Sequence, residues 1–178
     1  MITFSASSGC ACRVSTGSVS FEVFLSTPPK DSWTLLSHPE EELKSKKVLS
    51  WPGEYDFSGI TVRAIGQEQG RQISYSCVAE GIRMAFIDTP LLDWSDADLE
   101  RLGDIDVLVL AADNPKKITP LVEAADPRVI LLFEVKGGDL AGAAKVCGLT
   151  QIQPIDEFKV KPSTLPADMR QVMVLKNV

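Results

Sequence analysis

The chain has 178 residues, of which 44% are hydrophobic and 24% charged, and its formal net charge is -6. This length and balance predict one globular domain, residues 1–178, with a substantial core. The excess of acidic side chains disfavours nucleic acid and anionic membrane surfaces as partners. No window approaches the roughly 20 apolar residues of a membrane span and no leader is evident, so we expect a cytoplasmic protein with reduced cysteines.

The first part of the chain alternates apolar and polar residues over short segments, which predicts strands. The predicted strands are Ile2–Ala6, Cys10–Ser15 and Val19–Leu25, arranged as a meander at one edge of a sheet, and a further short strand at Trp33–Leu36. The charged segment Pro39–Lys47 indicates one or two turns of a solvated surface helix, because glutamates precede lysines at helical spacing.

The β character is stronger in the centre of the chain. The residues from Trp51 to Gly59 form a turn-rich link, and two alternating segments follow at Ile60–Gly66 and Ile73–Ala79. A two-residue connection then leads into Ile82–Asp88, so residues 73–88 are predicted to form a hairpin.

Helices and strands alternate in the remainder of the chain. Ser95 is a good N-cap with Asp98 three residues on, and Gly103 can end that helix. A second helix is predicted to begin at Thr119-Pro120, and Asp139 can cap a third. The predicted strands of this region are Val107–Ala112, Arg128–Val135, Ile152–Ile155, Phe158–Val160 and Gln171–Leu175. Strands followed by alternating strands and helices predict an α+β fold with a mixed sheet.

The order of these elements and several short sequence motifs within them resemble the metallo-β-lactamase superfamily, and within it the branch similar to L-ascorbate-6-phosphate lactonase. Pro52–Gly59, PGEYDFSG, resembles the signature of that branch, and Glu80–Asp88 resembles the strand that ends in a metal-bridging aspartate. Asp98–Leu108 resembles the helix and strand that follow. The resemblance implies a four-layer αββα sandwich, with reduced outer helices because the chain is short.

The resemblance also implies a histidine-rich site that holds one or two metal ions and a hydroxide nucleophile. This chain has one histidine. In Ser37–Leu43, SHPEEEL, His38 stands as in the family motif, while Glu40 and Glu42 replace a histidine and an aspartate. Cys10 replaces an upstream histidine and Glu134 a late one, whereas Asp88 is unchanged.

Each of these residues also has an ordinary structural interpretation. His38 could be a loop histidine bonded to backbone or water, and Glu40 and Glu42 could belong to a solvated helix start. Asp88 could be a turn residue before Thr89-Pro90. Glu134 could project to solvent at its strand end, since a buried carboxylate needs a partner. Cys10 and Cys12 could chelate a soft metal or simply be small buried side chains.

Two main functional hypotheses follow, and a third alternative is a purely oligomerising or structural role. The first is a diverged, non-catalytic protein of this fold that binds a small molecule or a protein, with no cofactor and possible homo-oligomerisation. The second is a metal-dependent hydrolase of an ester, lactone or phosphoester. Its carboxylate-rich site would use His38, Glu40, Glu42, Asp88 and Glu134 to hold Mg²⁺, Mn²⁺ or Zn²⁺, with Asp88 as the catalytic candidate.

Overall fold

The structure is a computed structural model and describes residues 1–7, 11–43 and 45–177. Thirteen strands form two mixed β-sheets, and three α-helices accompany them in this part of the chain. The elements in chain order are β1 (Ile2–Ala6), β2 (Cys12–Ser15), β3 (Ser20–Val23), β4 (Trp33–Leu35), β5 (Val48–Leu49), β6 (Gly53–Phe57), β7 (Ile60–Gln67), β8 (Gln72–Ala79), β9 (Ile82–Ile87), α1 (Asp96–Leu102), β10 (Val107–Ala111), α2 (Pro115–Ala125), β11 (Val129–Phe133), α3 (Leu140–Val146), β12 (Glu157–Val160) and β13 (Gln171–Leu175).

The first sheet has the strand order β12-β1-β2-β3-β4-β5, and the second has the order β13-β11-β10-β9-β8-β7-β6. In the second sheet, β9, β10, β11 and β13 run parallel to one another, while β6, β7 and β8 pair antiparallel. Because parallel strands end at the same edge of a sheet, the residues that follow β9, β10 and β11 share one rim of the molecule.

The inner faces of the two sheets form the main core. Phe4 and Phe21 of the first sheet both pack against Phe86 of the second, with ring centroids 6.5 and 6.3 Å apart. These side chains are no more than 1% exposed, as expected where two sheets interdigitate. Burial of large aromatic side chains from both sheets therefore holds the sandwich together.

The three α-helices pack on the outer face of the second sheet, where they cover the alternate residues of β9, β10 and β11. On the first sheet, the exposed Arg13 and the buried Glu22 are paired across β2 and β3, and their side chains form an ion pair of 2.6 Å between Nε and Oε1. The α+β sandwich with reduced outer helices is thus confirmed. No helix among residues 1–7, 11–43 and 45–177 is long and apolar enough to cross a membrane.

Several local predictions are confirmed. The hairpin of β8 and β9 pairs Ala79 with Ile82, and its two-residue turn has φ values of 49° at Glu80 and 76° at Gly81. Positive φ at both central residues matches the right-handed twist of the strands. At the first helix, the Ser95 side chain accepts from the Asp98 amide in a capping box. The Asp139 side chain caps the third helix by accepting from the Gly142 amide.

Other predictions are wrong in their boundaries. The second helix begins at Pro115 rather than Pro120, because Asn114 supplies the cap that was assigned to Thr119 and Pro115 fits the first turn. Ile152–Ile155 is not a strand, since only Ile155 makes a bridge, to Leu175. The meander β1–β3 is not at a sheet edge, because β12 pairs with β1.

Two segments have a different structure from the one predicted. The turn-rich link contains the edge strand β6, whose Gly53–Phe57 residues pair with β7. No described residue of Pro39–Lys47 is helical. The Glu40 backbone instead pairs with residues 50 and 51: its amide donates to Ser50 Oγ at 3.3 Å, and its carbonyl accepts from the Trp51 indole at 3.2 Å. Those bonds replace the ones that a helix would have made.

Candidate functional site

The candidate site lies on the rim where the parallel strands of the second sheet end. Asp88 follows β9, Asp113 comes two residues after β10, and Glu134 follows β11. The first sheet contributes the segment that follows β4, which carries His38. Crevices at the carboxyl ends of parallel strands are where open α/β sheets place their ligands.

The segment Leu36–His38 is tied directly to the second sheet. The Ile73 amide donates to the Ser37 carbonyl at 2.8 Å. The buried Tyr75 hydroxyl lies 2.5 Å from the Leu36 carbonyl, to which it donates, and 3.0 Å from the Leu49 carbonyl. These contacts bring residues 37 and 38 to the end of β9, so sequence positions 50 residues apart meet on one rim.

Asp88 is half-buried at this rim. Burial raises the pKa of its carboxyl, and the Thr89 backbone amide, the Ser37 side chain and the charge of His38 only partly offset that rise. A carboxyl whose pKa is raised by desolvation is not held by strong cationic partners. His38 is exposed, and its charge lowers the pKa of Asp88 slightly, so these two predicted residues lie on the same part of the rim.

The loop Asp88–Leu91 is clamped by two side chains that the sequence did not single out. The Gln72 amide lies 3.1 Å from the Pro90 carbonyl and 3.5 Å from the Asp88 carbonyl, and donates to both. Asp113 Oδ2 accepts from the Leu91 amide at 2.7 Å and from the Thr89 hydroxyl at 3.2 Å. The position of Asp113 after an apolar strand, like that of Asp88, was an available signal. No local pattern marks Gln72.

The remaining predicted ligands face water. Glu40, Glu42 and Glu134 are exposed, which agrees with the solvent-facing interpretation of Glu134. The Glu134 backbone carbonyl accepts from the Asn177 side chain at 2.8 Å, so the strand end is ordered while its carboxylate stays outside. The Cys10 predictions lie outside the described residues, and Cys12 is a buried free thiol.

A cleft of about 490 Å³ adjoins His38. Its walls come from the two connections that precede and follow β4, and they combine apolar side chains with a polar margin. The lining residues are Ser26, Thr27, Pro28, Pro29, Lys30, Leu36, His38, Glu40, Glu42, Leu43, Ser45 and Val48. This size and mixture suit a small-molecule site.

The donors among the described residues do not fit the metal centre that the resemblance implies. Within the described ranges, no three His, Cys, Asp or Glu side chains lie close enough together to hold an ion. The charge of His38 reaches Asp88, but Glu40, Glu42 and Glu134 are exposed rather than gathered around that carboxyl. Zinc sites use three or four converging protein ligands, and hard ions also need several oxygen donors.

The fold is that of the metallo-β-lactamase superfamily hydrolases. A Thermotoga maritima protein assigned as a zinc-dependent hydrolase of that superfamily is similar over 98% of this chain and 99% of its own, with a TM-score of 0.75 and 16% identity. The metallo-β-lactamase fold protein YhfI from Bacillus subtilis is similar over 99% and 97%, with a TM-score of 0.63 and 9% identity.

A Parabacteroides distasonis protein assigned as a metal-dependent hydrolase is similar over 99% of this chain and 94% of its own, with a TM-score of 0.63 and 13% identity. The sequence itself matches no family model and no curated protein sequence. Identities this low establish a shared fold and leave the activity to be argued from the site.

Proposed function

We propose that this chain is a diverged, non-catalytic protein of the metallo-β-lactamase fold that binds a small molecule in the cleft beside His38. One observation carries the proposal: Glu40, Glu42 and Glu134 face water, and Asp88 alone among the acidic candidates is half-buried. A hydrolytic ion would need those groups to converge. The cleft offers an apolar wall and polar margin that need no ion to bind a ligand.

The runner-up is the activity of the branch that the sequence resembles, the metal-dependent hydrolysis of an ester, lactone or phosphoester. The proximity of His38 to the half-buried Asp88 is the observation that favours it. In that case an added divalent ion would supply the nucleophilic hydroxide, and Asp88 would be required for its retention.

The test compares hydrolysis and binding in the same preparations. Hydrolysis is followed with p-nitrophenyl acetate, γ-butyrolactone and bis-p-nitrophenyl phosphate after separate addition of Zn²⁺, Mn²⁺ and Mg²⁺. We expect no turnover above that of the Asp88→Ala variant. Turnover that needs an ion and is lost in Asp88→Ala would establish the hydrolase instead.

Binding is measured by ligand-observed NMR with a library of small polar-aromatic fragments. Leu43→Arg places a long charged side chain on the cleft wall at a position that is 40% exposed. Ile152→Arg is the matched control, because Ile152 is 37% exposed and lies away from the cleft lining. We expect fragment signals that Leu43→Arg abolishes and Ile152→Arg preserves. Equal signals in both variants would contradict the proposed cleft.

A further inference from the structure

The residues that the resemblance aligns with metal ligands come from both sheets. His38, Glu40 and Glu42 follow β4 of the first sheet, whereas Asp88 and Glu134 follow β9 and β11 of the second. An ion bound by donors from both sheets would join them, and its binding to the folded state alone would stabilise the fold. At this rim, hydrogen bonds between protein groups join the two sheets.

Direct bonds between protein groups cross the rim. The Ile73 amide donates to the Ser37 carbonyl at 2.8 Å, and the Tyr75 hydroxyl donates to the Leu36 carbonyl at 2.5 Å. Both donors belong to β8, in the second sheet, and both acceptors lie just after β4, in the first. The rim therefore has its own connection between the sheets.

The loop that carries Asp88 is also held by protein groups on two sides. The Gln72 side chain, which is 9% exposed, donates to the Pro90 carbonyl at 3.1 Å. From the other side, the Asp113 carboxylate accepts from the Leu91 amide at 2.7 Å. Because both clamps act on backbone groups, they fix the course of the loop.

The acidic candidates at the rim do not form a cluster of buried carboxylates. Asp88 is the one acidic candidate that is half-buried, and the Thr89 amide and the Ser37 side chain partly offset the cost of burying its carboxylate. The carboxylates of Glu40, Glu42 and Glu134 are exposed, so water solvates them. Removal of a cation from a site of converging carboxylates would leave them in mutual repulsion, and these residues do not form such a site.

We propose that hydrogen bonds between protein groups hold this rim in place of a metal ion, with Gln72 and Asp113 as the residues that position the Asp88 loop. The folded structure consequently does not depend on a divalent cation. This inference concerns how the fold is held and does not rest on the proposed ligand cleft.

The experiment measures Tm by circular dichroism after removal of ions with EDTA and after separate addition of excess Zn²⁺, Mn²⁺ or Mg²⁺. We expect the same Tm in all conditions to within about 1 °C, because an ion at a hundredfold excess over its Kd would raise Tm of a chain this size by about 5–11 °C. A concentration-dependent rise that Asp88→Ala removes would overturn the inference.

Two variants test the clamps. Gln72→Ala and Asp113→Ala are each expected to lower Tm by about 2–12 °C, since each leaves backbone groups of the loop without a partner. Asp113→Asn retains an acceptor oxygen for the Leu91 amide and should recover part of that loss. The matched controls are Gln153→Ala and Asp93→Ala, both at exposed positions.

Clamp variants that melt with the controls would also overturn the inference. The outcome is separable from that of the proposed function. A Tm that does not depend on ions, together with no fragment binding, would support this inference and contradict the proposed ligand cleft. A chain that binds fragments in the cleft but melts higher with Zn²⁺ would do the reverse.

Discussion

The hydrogen bonds of the Tyr75 hydroxyl can be tested by a single substitution. Substitution of Tyr75 by Phe removes a donor that lies 2.5 Å from the Leu36 carbonyl and 3.0 Å from the Leu49 carbonyl. The Leu49 carbonyl still accepts from the Leu36 amide at 2.9 Å, so the substitution leaves one carbonyl, that of Leu36, without its partner. A buried acceptor that loses its partner costs about 1–3 kcal/mol.

For a domain of this size, that cost corresponds to a fall in Tm of about 2–12 °C. The free energy of unfolding is measured by urea titration with circular dichroism, and Tyr55→Phe is the matched control. The Tyr55 hydroxyl donates to the Trp51 carbonyl at 2.8 Å in an exposed setting, where water can replace it, so a change within about 0.5 kcal/mol is expected. If Tyr75→Phe were no less stable than Tyr55→Phe, the hydroxyl would not support the rim.

The same chemistry makes three further predictions. Asp106→Ala should lower the free energy of unfolding in urea by about 1–3 kcal/mol, because the buried carboxylate accepts from the backbone amide and the guanidinium of Arg83. Asp104→Ala removes an exposed partner of the same arginine and should change the free energy of unfolding by less than about 0.5 kcal/mol. Burial raises the pKa of Asp88, so the stability that the protonated carboxyl contributes is lost as the pH rises through that raised value. The Tm of Asp88→Asn relative to that of the unmodified chain should therefore increase from about pH 4 to about pH 8. A constant difference in Tm would show that burial does not govern this carboxyl. Glu134→Gln should leave Tm unchanged in the presence of Zn²⁺ and in EDTA, because its carboxylate faces water, and an ion-dependent loss would place Glu134 in a metal site.

Local patterns anticipated the elements whose stability is decided locally. The alternation of Ile82, Met84 and Phe86 placed β9 with the correct inward face, and the capping box at Ser95 marked the start of the first helix. Both signals depend on residues within a few positions of one another, so no distant partner can easily overrule them.

The predictions of secondary structure are wrong where residues distant in the sequence determine the local structure. The segment from Pro39 has a helical pattern of charges, yet Ser50 and Trp51 bond its backbone at Glu40. The residues of β6 belong to a segment whose turn residues predict a link, and pairing with β7 makes them a strand although most of them are exposed. Sequence periodicity reports which face is buried and carries little information at a sheet edge.

The sequence by itself determined the class of fold and identified His38 and Asp88 as candidate site residues, because apolar periodicity and short sequence motifs are local properties of the chain. Only the tertiary structure decided where the candidates lie: Asp88 is half-buried at the rim, while His38, Glu40, Glu42 and Glu134 are exposed. It also identified Gln72 and Asp113 as the supports of the rim. Whether donors converge depends on how two sheets pack and where their strands end, and that geometry is set by the whole core rather than by neighbouring residues.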